Sequence, residues 1–345
     1  MSAQPAKKTA KQPAILKKRF TTPSFLEYKE AGERIVMCTA YDCMQARIAE
    51  AAGVDVILVG DSIGMTTLGH ESTLPVTMDD MLRAVSAVVK GAPNTYVVAD
   101  MPFMSYQPSQ QEGMKNAAAL IAEAGASALK VEGASLETLA FTESLVAAGV
   151  PVMGHLGLTP QSINLLGSYT TQAKEVDEVV RLMMDAHALM TAGVCAIVLE
   201  CVPAEVAEEL SEMHMLPMIG IGAGPSCDGE VQVFHDLLGL GDFTPRHAKQ
   251  YIGGADILGK ALAEYVQDVR TGAFPTEEQT THIEQDIVET ATPVFVEHLI
   301  EQIEALDGEV EMISDEAEIN LEPDFDSEPE DSGRFFTGGS RAHLN

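Results

Sequence analysis

The sequence predicts a single (β/α)8 TIM barrel carrying a basic N-terminal arm and an acidic C-terminal tail. Three observations carry that expectation. Short apolar runs alternate with alanine-rich helical stretches at least seven times. The alternation occupies about 250 residues, the usual size of a closed eight-unit barrel. Acidic residues stand where several of the apolar runs end. Strand and helix in alternation build a parallel sheet, because parallel neighbours need a long crossover that a helix supplies.

The apolar runs lie at 34–41, 54–61, 95–100, 128–133, 151–157, 195–201 and 217–224. Each is short and nearly continuous, as expected of a strand buried on both faces. Helical periodicity fills 43–53, 114–126, 136–149 and 179–193, and Gly53, Gly125, Gly149 and Gly193 stand where those stretches stop. Glycine takes the left-handed conformation that closes a helix. An eighth strand has no clear signal. A doubly wound open sheet is the alternative, but no GxGxxG follows the first run to mark a dinucleotide site. The methionine-rich helices read as core packing, since the flexible thioether fills irregular gaps without any cofactor.

The flanks differ from this middle. Residues 1–23 read as a basic, disordered arm: Lys7, Lys8, Lys11, Lys17, Lys18 and Arg19 come with no acid before residue 20, and Pro5 and Pro13 interrupt helix formation. A cleaved organellar presequence is the weaker alternative, because arginine and serine are scarce there. Residues 24–282 form the expected barrel. Residues 283–345 are expected to hold one amphipathic helix and then an acidic, disordered tail. Thr292 as N-cap, Pro293 at the first helical position, and Phe295, Leu299, Ile303 and Leu306 at helical spacing mark that helix.

Composition excludes some functions. A formal net charge of -31 argues against nucleic acid, which demands a basic face. The 5 cysteines, Cys38, Cys43, Cys195, Cys201 and Cys227, form no CxxC pair and point to a reducing compartment. No run approaches the roughly 18 apolar residues of a membrane span, so the expected location is the cytoplasm.

Asp61, Asp100, Glu132 and Glu200 each close a different run. In a parallel barrel those ends share one face, the face where barrel enzymes keep their active sites. Taken singly, each acid is accounted for as a helix N-cap, a turn former or a solvated strand end. Taken together, they would repel one another unless a cation lay between them. Oxygen-only ligands without a His or Cys cluster favour Mg2+ or Mn2+ over zinc. Lys130 stands two residues before Glu132 and so points to the same side of its strand. A Lys130–Glu132 ion pair is one reading; reception of an anionic substrate is the other.

The stretches VGDSIGM, LGHESTLPVT, ADMPFMSY, KVEG, GHLGLTPQS, LECVP and IGIGAGPSCDG occur in that order, and the ordered set resembles the ketopantoate hydroxymethyltransferase family from about Ser24 to His282. The departures are Arg246 and His247, where that family usually has Lys and Phe, and the acidic extension. The resemblance implies transfer of the methylene of 5,10-methylenetetrahydrofolate to 3-methyl-2-oxobutanoate, with water, giving 2-dehydropantoate through a Mg2+-stabilised enolate in pantothenate biosynthesis. It implies Asp61, Asp100 and Glu132 as metal ligands; Asp61, Ser62, Asp100 and Lys130 as contacts to the 2-oxo acid; Glu200 as general base; and a homo-oligomer, typically a decamer. His155 is expected to be a hydrogen-bonded structural histidine. A Mg2+-dependent lyase or mutase of the isocitrate lyase and phosphoenolpyruvate mutase superfamily is the second reading. The tail is expected to be dispensable: removing residues from Asp307 onward should leave far-UV circular dichroism and turnover intact, and loss of either would make it structural.

Overall fold

The computed structural model describes residues 19–314, with side chains through Glu304. The arm before residue 19, the tail after residue 314 and the side chain of Leu306 lie outside the described residues. Two compact units divide at Glu264 and Tyr265.

The first unit is built on eight parallel strands: β1 (Ile35–Thr39), β2 (Val56–Val59), β3 (Tyr96–Asp100), β4 (Ala128–Glu132), β5 (Val152–Gly157), β6 (Ala196–Glu200), β7 (Met218–Ile221) and β8 (Gly229–Gln232). Each pairs with the next and β8 pairs with β1, so the sheet closes. Closure removes the open-sheet alternative. Along the chain the helices are α1 (Ser24–Ala31), α2 (Cys43–Ala52), α3 (Ile63–Thr66), α4 (Met78–Gly91), α5 (Gln110–Ala118), α6 (Leu136–Ala147), α7 (Ile163–Leu166), α8 (Val176–Ala192), α9 (Ala204–Met213), α10 (Phe234–Leu238), α11 (Gly254–Thr271) and α12 (Gln285–Ser314). No helix is long and apolar enough to cross a membrane.

Local sequence explains the helix boundaries. Asp42 accepts from the backbone N–H of Met44 and Gln45 and so starts α2, which Gly53 ends in the left-handed conformation. Thr77 and Asp80 form a reciprocal capping box at the start of α4. Glycines also close α1 and α8 with positive φ.

The eighth strand escapes the sequence for two reasons. Its four residues, Gly-Glu-Val-Gln, lack an apolar run. The connection from β7 is a loop with no helix, so the alternation breaks there. The pairing is correspondingly brief, Ile219 opposite Gly229 and Gly220 opposite Glu230.

Two cores follow from strand alternation. Ile35, Met37, Val56, Leu58, Tyr96, Val98, Ala128, Met153, Ala196, Val198, Ile219, Ile221 and Val231 belong to one cluster, filling the barrel interior. The residues between them, such as Ile57, Val59, Val97, Leu129, Val131, Ile197 and Leu199, belong to a second cluster that packs against the helices. Phe20 joins the first cluster, its ring 4.9 Å from that of Phe25 and 5.8 Å from that of Tyr96. The sequence places Phe20 in the arm; the structure makes it part of the packing at the closed end of the barrel, because a buried aromatic ring outweighs its basic neighbours.

The second unit contains α12, which corrects the expected start of the terminal helix. Thr292 is not an N-cap and Pro293 is not at the first helical position: the helix begins at Gln285 and runs through both. The Thr292 hydroxyl donates to the Val288 carbonyl at 2.8 Å, one turn below. A proline inside a helix removes one backbone donor, but eight helical residues before it keep the rest of the ladder intact.

Candidate active site

Strand alternation places the polar residues of the barrel interior at one end. On β3 the interior side reads Tyr96, Val98, Asp100; on β4, Ala128, Lys130, Glu132; on β5, Met153, His155; on β6, Ala196, Val198, Glu200. The apolar members fill the lower layers and the charged members the carboxyl-terminal layer, where barrel active sites lie. Register sets the neighbours: Asp100 stands opposite Lys130, Glu132 opposite His155, and Gly157 opposite Glu200.

Asp61 follows β2. It does not cap α3, whose first residue has Ser62 before it with no side-chain cap bond. Its Oδ2 accepts instead from the Gln161 side-chain amide at 2.9 Å. The turn reading of Asp61 therefore gives way to a role in the acid cluster. Asp61, Asp100, Lys130, Glu132 and His155 are all buried.

Each carboxylate has one oxygen held by an amide. Asp100 Oδ2 accepts from Asp61 N–H at 3.0 Å, and Glu132 Oε2 accepts from Gln161 N–H at 3.0 Å. The remaining oxygens, Asp100 Oδ1 and Glu132 Oε1, are buried and face charged side chains in place of amides. Lys130 Nζ lies between them, 2.8 Å from Asp100 Oδ1 and 3.9 Å from Glu132 Oε1.

The electrostatics follow from burial. Asp61 is held well above the usual carboxylate range by burial and then by Asp100 and Glu132. Asp100 is also raised by burial, against the pull of Lys130. Burial pushes Glu132 up, but His155 and Lys130 outweigh it and leave Glu132 below its ordinary value. Burial opposes the charge on Lys130, yet Asp100, Glu132 and Asp61 together hold the ammonium charged.

His155 joins two acids. Its Nδ1 is 3.3 Å from Glu132 Oε1 and 3.2 Å from Lys130 Nζ, and its Nε2 is 3.2 Å from Glu200 Oε2. The ring is pulled down by burial and by Lys130, but the two carboxylates outweigh both and bring it to about 9. Glu200 is the most open of the strand-end acids, its side chain 17% exposed. Gly157 lets β5 run close beside it: Leu158 N–H donates to the Glu200 carbonyl at 2.8 Å, and a Cβ at Gly157, where φ is +88°, would strike that carbonyl and Val202.

Ser62 Oγ is 2.8 Å from the Tyr41 hydroxyl, so the ring of Tyr41 fixes it at the edge of the site. Tyr106 packs beneath Glu132 and accepts from its N–H at 3.2 Å. The Tyr169 phenol is raised above its ordinary value by burial and then by Glu200, Asp61 and Glu132. His247 lies near Cys201, Nδ1 to Sγ 4.0 Å, one residue past Glu200.

The structure thus brings Asp61, Ser62, Asp100, Lys130, Glu132 and Glu200 to one face. Sequence reasoning gave no role to Gln161 or Tyr41, and it left His155 as merely structural. Gln161 lies in the stretch GHLGLTPQS, but an amide after a strand carries no chemical signal by itself.

A hard divalent cation fits this donor set. The donors are buried oxygens, and with all four acids ionised Asp61, Asp100, Glu132 and Glu200 against the Lys130 ammonium and the His155 imidazolium leave two negative charges to balance such an ion. Among the described residues no three His, Cys, Asp or Glu side chains form a ready cage. Mg2+ ordinarily takes only one or two carboxylates and completes its shell with water and substrate oxygens.

A closed parallel barrel with a buried acid–lysine cluster at its carboxyl-terminal mouth defines a barrel enzyme acting on a small molecule. The chain belongs to the ketopantoate hydroxymethyltransferase family, whose model matches residues 19–277. It is similar to the 3-methyl-2-oxobutanoate hydroxymethyltransferase of Moorella thermoacetica, 50% identical over 263 residues covering 76% of this chain and 97% of that protein. The same-named protein of Acetivibrio thermocellus is 46% identical over 272 residues, covering 79% and 96%. Among solved structures, phosphoenolpyruvate phosphomutase from Streptomyces platensis subsp. rosaceus has a TM-score of 0.53 at 15% identity, covering 84% of this chain and 99% of its own. That likeness is one of fold.

Proposed function

We propose that this enzyme transfers the methylene of 5,10-methylenetetrahydrofolate to C3 of 3-methyl-2-oxobutanoate, with water, giving 2-dehydropantoate and tetrahydrofolate in pantothenate biosynthesis. The observation that carries this reading is the placement of Glu200 across His155 from the Asp100–Lys130–Glu132 cluster, in a chain about half identical to hydroxymethyltransferases. Lys130 receives the substrate carboxylate, since it is the buried cation of the cluster. Ser62, held by Tyr41, orients the 2-oxo acid together with Asp61 and Asp100.

Glu200 takes the proton from C3. The C3–H electron pair becomes the enolate, whose carbon forms the new bond to the methylene, and water supplies the hydroxyl; both bonds from that methylene carbon to the folate nitrogens break, and the two nitrogens take up one proton from C3 and one from water. His155 holds the Glu200 carboxylate in place and balances its charge. Mg2+ bound by Asp61, Asp100 and Glu132 would polarise the keto oxygen and stabilise negative charge there. The reading also makes the protein a homo-oligomer, supported by the apolar stripe Val176, Val180 and Met184 that α8 leaves exposed.

The test is direct. Purified protein supplied with both substrates and Mg2+ is expected to form 2-dehydropantoate, read by mass spectrometry, and to stop on addition of a chelator. Turnover of phosphoenolpyruvate or 2-methylisocitrate in place of the 2-oxo acid would overturn it in favour of the lyase or mutase chemistry.

A further inference from the structure

We propose that Gln161 is a positioning residue that orients the carboxylates of Asp61 and Glu132 for the divalent cation, an inference that rests on the metal reading above. Gln161 is the middle residue of a short 3-10 turn, Pro160–Ser162, after β5, and is buried. Its backbone N–H donates to Glu132 Oε2 at 3.0 Å. Its side-chain Nε2 donates to Asp61 Oδ2 at 2.9 Å and to the Met101 carbonyl at 3.0 Å. Both side-chain N–H groups are therefore used, and Oε1 accepts from Gln107 Nε2 at 3.5 Å. One residue thus binds the ends of β2, β3 and β4 to the loop after β5.

The pattern of what is bound and what is left free gives the role. Gln161 engages one oxygen on Asp61 and one on Glu132, turning the other oxygen of each away from the amide. A carboxylate fixed at one oxygen has lost most of its rotational freedom, so ordering it on metal binding costs less. The choice of a neutral donor matters as well. A lysine or arginine here would cancel a charge that the cation needs, and a glutamate would add repulsion to a cluster already strained by Asp61, Asp100 and Glu132. An amide satisfies the buried oxygens while leaving their charge intact.

Gln161→Met keeps the length and the backbone N–H but deletes both side-chain donors. Mn2+ alone, titrated into the metal-free full-length protein and followed by electron paramagnetic resonance, is expected to bind the variant about 10- to 100-fold more weakly than wild type, the usual effect of losing a partner to a metal ligand. In turnover, the half-saturating Mg2+ concentration should rise by the same factor while kcat at saturating Mg2+ stays within a few-fold. A role in folding alone would lower the melting temperature and the active fraction without moving the metal affinity. Wild-type protein that binds Mn2+ together with a variant that binds it equally well overturns the role of Gln161 and leaves the metal reading standing. Wild-type protein that fails to bind Mn2+ overturns both.

Discussion

Glu200→Gln is expected to lower hydroxymethyl transfer by about 10²- to 10⁴-fold, the range for loss of a positioned general base. Glutamine keeps the shape of the side chain and does not disturb Asp61, Asp100, Lys130 or Glu132, so binding of the 2-oxo acid should survive. Two readouts separate the roles. Exchange of the C3 proton of 3-methyl-2-oxobutanoate into D2O, followed by NMR without folate, reports proton removal alone, and it should collapse together with transfer. A variant that exchanges at the wild-type rate would place the base elsewhere. Exchange that persists while transfer fails would assign Glu200 to the folate step. The contact of Glu200 Oε2 with His155 Nε2 at 3.2 Å makes the first outcome the expected one, because it fixes the carboxylate while leaving it open to substrate.

Asp61→Asn and Asp100→Asn are each expected to weaken metal affinity by about 10²-fold or more, since a buried charge contact is worth about 3 kcal/mol or above. Their effects on the metal-free protein should differ. The folded structure raises Asp61 through burial and through Asp100 and Glu132. A carboxyl raised on folding stabilises fully below its unfolded value of about 4, and that contribution is lost as pH rises toward the folded value. Above the unfolded value, keeping a carboxyl at Asp61 therefore opposes folding. Metal-free Asp61→Asn should melt at or above the wild-type temperature while being nearly inactive. Asp100→Asn also removes the nearest partner of buried Lys130, at 2.8 Å, and should melt lower. Calorimetric titration with Mg2+ and melting in a chelator check both points; unchanged metal affinity in both variants would sink the ligand assignment.

Much of the barrel was legible because parallel strands buried on both faces need continuous apolar sequence, and seven of them have it. β8 was not, since Gly229, Glu230 and Gln232 satisfy neighbours rather than forming an apolar run. Helix starts were readable where a side chain caps the turn, as at Asp42 and Thr77. The terminal helix misled for the opposite reason. Thr292 and Pro293 make a sound local start signal, but a helix already running from Gln285 passes through it.

By itself, the sequence determined which acids end strands, and hence the face they share, because a strand's direction and its side-chain alternation are both local properties. It also carried, through its ordered motifs, the family to which the chain belongs. Only the tertiary structure decided how those acids are joined. Gln161 reaches Asp61 across 100 residues and Glu132 across 29, and His155 meets Glu132 and Glu200 from a strand between theirs. The periodicity of one element reports which side is buried, but which oxygen meets which donor depends on barrel closure and register, and those are settled only when all eight strands pack.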